Sequence, residues 1–156
     1  MWARLPRSRK SSKFCDGKEE LVKEAVYEKY GLLYQLEHGM LSNHMWFEGA
    51  FGYHFYALTS FFAYEKFALH TPHSHIHHPN YKAMMELLFS YIEPGFRVPM
   101  LNDTNYGHTS SIYYLYEFAY REIGGDKLLY VLKELYKDEA RDNLEAFIYG
   151  VDILPT

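Results

Sequence analysis

The chain reads as an all-α domain, and three observations predict it. Apolar residues recur every three or four positions in five or six segments, each bounded by glycine, proline or a capping residue. No segment alternates apolar and polar residues over a useful length, as a half-buried strand would. The composition is globular: 156 residues, 48% hydrophobic and 23% charged, enough for one domain of ordinary size.

Residues 1–17, with Pro6, a serine pair and Asp16-Gly17, read as a basic leader and loop, which leaves 18–156 as a single helical domain. The first amphipathic helix is expected over 18–36, with Leu21, Val22, Ala25, Val26, Tyr30 and Leu33 inward and a stop at Gly39. Three glycines, Ser42 and Asn43 mark 39–52 as a loop. From Tyr53 to Ala68, Phe55, Leu58, Thr59, Phe62 and Phe67 cover most of a helix, which predicts a central, well-buried element. The histidine-rich run from His70 to Pro79 is a loop, and Pro79 can open a helix over 80–92 with Tyr81, Met84, Met85, Leu88 and Tyr91 inside.

Pro94-Gly95, Pro99 and Asn102-Asp103 punctuate a second loop that runs to Gly107. Thr109 or Ser110 is placed to cap a helix over 111–122 carrying Ile112, Leu115, Tyr116 and Ala119. Gly124-Gly125 ends it, and Asp126 is placed to cap the next, which turns Leu128, Leu129, Leu132 and Leu135 inward. A last helical segment crosses Leu144, Phe147 and Ile148 and stops at Gly150. The repeated helix-loop-helix rhythm is compatible with stacked hairpins.

Charge narrows the function classes. Residues 1–13 carry five basic side chains and no acid, while the remainder holds 11 basic and 20 acidic ones. An acidic body lacks the basic face that nucleic-acid binding needs. Cys15 is the only cysteine, so neither an internal disulfide nor a thiolate metal cluster is expected. No stretch approaches the length of apolar sequence that spans a bilayer, and residues 1–13 lack the apolar segment of a signal peptide. No phosphate loop, dinucleotide fingerprint or serine nucleophile elbow occurs, so no cofactor is expected.

Three groups of residues carry chemistry. Glu48, Tyr53, His54 and Tyr56 gather around Gly49 and Gly52 where a loop enters a helix, and Tyr53 and Tyr56 are spaced i,i+3 to share one face. These are groups that bind sugars and move protons, and they are equally the groups of an aromatic core with an acid at a helix start. His70, His73, His75, His77 and His78 suggest a metal, but their spacing fits neither a zinc finger nor a metalloprotease helix, and a loop lining a cleft is the reading adopted: metal, none. The polar run from Asn102 to Thr109 offers amide and imidazole donors through Asn105 and His108, or a self-bonded turn with a helix cap. Trp46, beside Met45 and Phe47, is an aromatic ring that can stack on a sugar or pack in a core.

Residues 46–58, Trp46-Phe47-Glu48-Gly49-Ala50-Phe51-Gly52-Tyr53-His54-Phe55-Tyr56-Ala57-Leu58, resemble the W-F-E-G-S-F-G-Y-H-F-Y-A-L segment of the heparinase II/III and alginate (oligoalginate) lyase superfamily, with Ala50 in place of the usual serine. The likeness continues through His77-His78-Pro79-Asn80-Tyr81 and Pro99-Met100-Leu101-Asn102-Asp103-Thr104, and covers most of residues 20–155. It implies a partial α/α toroid built from antiparallel helical hairpins, and β-elimination on uronic-acid polysaccharides such as alginate or heparin-like glycans. By motif match Tyr53 is the candidate catalytic tyrosine and Tyr56 the fallback. Glu48, His54, Asn105, His108 and Trp46 are the candidate substrate contacts. Asn43-His44 repeats the letters of the family's Asn-His pair but sits in the loop before the tyrosine motif, so that role is not transferred to it.

The family's earlier toroid helices and its β-sandwich have no counterpart in these residues. The expectation is an incomplete toroid whose exposed side predicts self-association or partner segments, and whose activity alone is in doubt. The partner implied is an acidic polysaccharide, with no nucleic acid and no membrane. The family's range of locations is bacterial periplasmic, secreted or cytoplasmic. The competing class is a noncatalytic helical carbohydrate-binding or protein-interaction module.

Overall fold

The structure, a computed structural model, describes residues 18–93, 97–104, 112–138 and 140–155. It is all-α. The helices are α1 (Glu19–Val22, running into a wide turn over Lys23–Tyr27), α2 (Leu32–His38), α3 (Phe51–Ala68), α4 (Pro79–Tyr91), α5 (Tyr113–Glu122), α6 (Asp126–Leu135) and α7 (Leu144–Tyr149). Among the described residues no helix is long and apolar enough to cross a membrane. The leader, the Asn105–His108 stretch and the Thr109/Ser110 cap lie outside the described residues.

The single first helix expected over 18–36 is two helices. After Val22 the chain widens into a π turn, closed by a hydrogen bond from Glu28 N to Lys23 O at 3.2 Å. It then reverses through Tyr30, whose φ is 70°, into Gly31. A Cβ on Gly31 would lie 2.9 Å from the carbonyl oxygens of Ala25 and Glu28, so only glycine lets α2 start this close to the turn before it. The inward stripe changes accordingly: Val26 is buried, Val22 and Leu33 are half-buried, and Leu21, Ala25 and Tyr30 face outward. Gly39 follows α2 as expected, its N–H donating to Gln35 O.

Helix α3 is the axis of the fold. Phe51, His54, Ala57, Leu58, Phe61, Phe62, Glu65 and Ala68 are buried, on faces that point in more than one direction, while Phe67 points outward against expectation. The Phe62 ring meets Tyr114 at 4.9 Å and Phe118 and Tyr149 at 5.1 Å, all edge-on, the arrangement aromatic quadrupoles favour. That cluster ties α3 to α5 and α7. The α4 stripe of Tyr81, Met84, Met85 and Leu88 is buried, and Tyr116 of α5 donates its hydroxyl to Met85 O. Pro79 is the first residue of α4, and His78 Nδ1 accepts from Asn80 N as its cap.

Helix α5 packs on both α6 and α7, and α6 packs on α4. The turn before α6 uses Gly124 and Gly125 at φ 68° and 106°, so the cap expected at Asp126 is replaced by glycine conformation and Asp126 is the first helical residue. Leu128, Leu132 and Leu135 are buried as expected, Val131 joins them, and Leu129 is half-buried. On α7 the expected inward residues Leu144, Phe147 and Ile148 are exposed, Phe147 by 79%. The helix is held instead by Ala146 and Tyr149, and by Asn143, whose Oδ1 caps it at Ala146 N. Beneath it Glu117, 0% exposed, takes two 2.7 Å hydrogen bonds from Arg141, which also donates to Val151 O. Gly150 lies directly against that ion pair.

A candidate carbohydrate-binding groove at the start of helix α3

The segment 46–58 is a loop followed by about two turns of α3, and its geometry depends on residues about a third of the chain away. Ala50 precedes the helix and has no side-chain acceptor for the unpaired N–H groups of the first turn. Thr104 supplies one: its Oγ1, buried, accepts from Phe51 N at 2.8 Å. Asn102 Nδ2 donates to the carbonyls of Glu48 and Gly49, both at 3.1 Å. Gly49 sits at φ +71° with its Cα against that amide, where an added Cβ would come within 2.5 Å of Asn102 Nδ2. The Asn102-Asp103-Thr104 loop therefore pins the start of α3. Of the two readings of that loop, ligand donors or a cap, Thr104 follows the second, except that the helix it caps is α3, while Asn102 ties down the loop before that helix.

His54 is inside the protein and not on the groove. It is 1% exposed, its Nδ1 accepts from Trp46 N at 3.1 Å, and its Nε2 lies 3.1 Å from Met84 O. An acceptor at Nδ1 and a donor at Nε2 define one neutral tautomer. Burial pushes its pKa down from 6.5 to about 4, partly offset by the Met84 carbonyl. Its expected place among substrate contacts is corrected by this geometry. The ring joins the Trp46 loop to α4.

The other candidates face solvent. Tyr53 is 42% and Tyr56 75% exposed, one helical turn apart. Trp46 lies half-buried across the end of α2, where Gly39 leaves room for its six-membered ring. Its Nε1 donates to Glu48 Oε2 at 3.0 Å, which orients that exposed carboxylate at the lip of a groove. The groove, about 330 Å³, runs between α2 and α3; the Trp46-Phe47-Glu48 loop forms one wall, Leu32 and Gln35 another, and Tyr56, Ala57, Ser60 and Phe61 its floor. Tyr56 and Ser60, and Ala57 and Phe61, are i,i+4 pairs, so part of this floor was readable as a helical stripe. Gln35 was not, because it arrives on a different helix. Asn105 and His108 lie outside the described residues.

The histidine loop forms a second cavity of about 410 Å³, lined by His70, His75, His77, His78 and Glu122 among others. It is built by Glu65 of α3, which is 1% exposed and accepts 2.7 Å hydrogen bonds from Ser74 Oγ and His75 N. Burial raises the Glu65 pKa against the lowering effect of those bonds. Tyr64 donates to His73 O, and its ring stacks on His75. Among the described residues no three His, Cys, Asp or Glu side chains are arranged to hold a metal ion.

No protein-family model, curated protein or solved structure matches the chain.

Proposed function

We propose that the chain is a helical domain of polysaccharide-lyase type, built on the α/α-toroid plan, that engages uronic-acid glycans along the exposed face of α3. The observation that carries the reading is the pairing of Tyr53 and Tyr56, both open to solvent on one face of α3, with a groove walled by Trp46 and Glu48. The resemblance of residues 46–58 to the lyase segment supports the same assignment. In the elimination, a base takes the C5 proton of a uronate, the electron pair of that bond becomes the C4–C5 double bond, the C4–O4 bond breaks, and O4 leaves with a proton. Tyr53 is the group assigned to that proton transfer, with Tyr56 the fallback. Trp46 offers a flat ring to a pyranose, and Glu48 offers acceptors to its hydroxyls.

A noncatalytic carbohydrate-binding module is the second reading, and one observation favours it. Among the described residues no lysine, arginine or histidine lines the groove, so none of these lining residues neutralises a substrate carboxylate or the enediolate that follows from it. Incubating the protein with alginate, heparan sulfate and hyaluronan, and following ultraviolet absorbance of the unsaturated product, separates the two. Product that disappears in Tyr53→Phe supports elimination at Tyr53. Product that survives Tyr53→Phe removes Tyr53 from the chemistry. Binding without product from any glycan leaves the module.

A further inference from the structure

The groove carries a signature of its own: it is aromatic, it holds one carboxylate, and among the described residues it has no cation. Trp46, Phe47, Tyr56 and Phe61 contribute rings, with Trp46 and Phe47 5.3 Å apart and Trp46 and Phe61 6.5 Å apart. Its remaining polar groups are neutral: the Gln35 amide, the Ser60 hydroxyl and the Tyr56 hydroxyl. The Trp46 indole donates to Glu48 Oε2 at 3.0 Å, which favours a carboxylate position at the lip of the groove. A uronate or sulfated sugar seated on Trp46 would therefore meet a like charge with no counter-charge. An uncharged pyranose would meet flat rings for its C–H face and neutral donors and acceptors for its hydroxyls.

We propose that this groove is a subsite for an uncharged pyranose, and that Glu48 is the residue that excludes anionic sugars from it. Resting on the reading of the chain as a uronate lyase, a further consequence follows. Tyr53 stands one helical turn, about 5 Å, before Tyr56 along α3. A glycan with a uronate at Tyr53 then has a neutral sugar in the groove, as in a polymer alternating uronate with N-acetylhexosamine, and a homopolymer of uronates fits poorly.

Calorimetric titration of the full chain tests the subsite without requiring turnover. The probes are an uncharged N-acetylglucosamine trisaccharide, a trisaccharide of uronates and a trimethylammonium compound. The neutral sugar is expected to bind about two- to fivefold more tightly than the oligouronate. Glu48→Gln retains an acceptor for the Trp46 indole, so it is expected to raise oligouronate affinity and to narrow the gap between the two sugars. Ser60→Ala and Gln35→Ala are expected to weaken the neutral sugar, with circular dichroism showing the helices intact. Equal or tighter oligouronate binding, a gap that Glu48→Gln leaves unchanged, a trimethylammonium ligand that outbinds the sugar, or no binding of any probe each overturns the proposal. Absence of unsaturated product from every acidic glycan overturns the lyase reading alone, since the heats of neutral-sugar binding do not depend on it.

Discussion

Lowering the pH through the range where imidazoles ordinarily charge tests the structural role of His54. In the fold its Nδ1 faces the Trp46 N–H, so a proton added there would set two donors against each other inside the core. Its pKa is held down, from 6.5 to about 4, chiefly by burial. The unfolded chain therefore takes up this proton first as the pH falls. The contribution of neutral His54 is fully present above pH 6.5 and is lost as the pH falls from there to about 4. That interval corresponds to about 3 kcal/mol, a large part of the stability of a domain this size. Two other groups have shifted pKa values. His75, also lowered by burial, acts in the same direction, whereas Glu65, raised by burial, favours the fold as the pH falls. The measurement is therefore a difference: urea unfolding of the wild type and of His54→Gln across this pH range. The variant is expected to be less stable at neutral pH, because two backbone groups lose their partner, and to lose less stability on acidification. Should the variant not fold, the His54 ring resonances of the wild type are followed by NMR, and they are expected to hold their neutral shifts until close to pH 4. A ring that titrates near its ordinary value would refute the reasoning.

The glycines of the motif make an opposed pair. Gly49→Ala forces a side chain into φ +71° and against Asn102, and thermal unfolding is expected to show a loss of about 1–3 kcal/mol. Gly52→Ala places its methyl in open space on the first turn of α3, and a gain of about 0.4–1 kcal/mol is expected in the same assay. Arg141→Ala leaves the Glu117 carboxylate buried without its partner, and a loss of about 3–5 kcal/mol is expected by urea unfolding. Arg141→Met with Glu117→Leu removes both charges and is expected to recover much of that loss, which a merely steric role for Arg141 would not predict.

Helical periodicity alone determined that this chain is all-α, and it located α3 to α7 to within about two residues. Those segments are long, strongly patterned, and bounded by residues whose local chemistry stops a helix, such as Pro79 and Gly124-Gly125. The residue types between Trp46 and Leu58, with their resemblance to the lyase segment, marked that stretch as a candidate site; periodicity left it equally a core. Only the tertiary structure decided which face of each element is inside. Period 3.6 defines an apolar stripe but not whether a neighbour covers it, so Leu21 and Phe147 turned out exposed while Glu65, Glu117 and His54 lie buried. The break at Gly31 escaped periodicity because its cause is backbone crowding across a turn. Tyr53 and His54 look equivalent in the sequence, adjacent and polar, yet helix geometry sends them about 100° apart. Of the two, His54 is the one that packs toward α4, its Nε2 3.1 Å from the carbonyl of Met84, thirty residues on, and Tyr53 meets solvent.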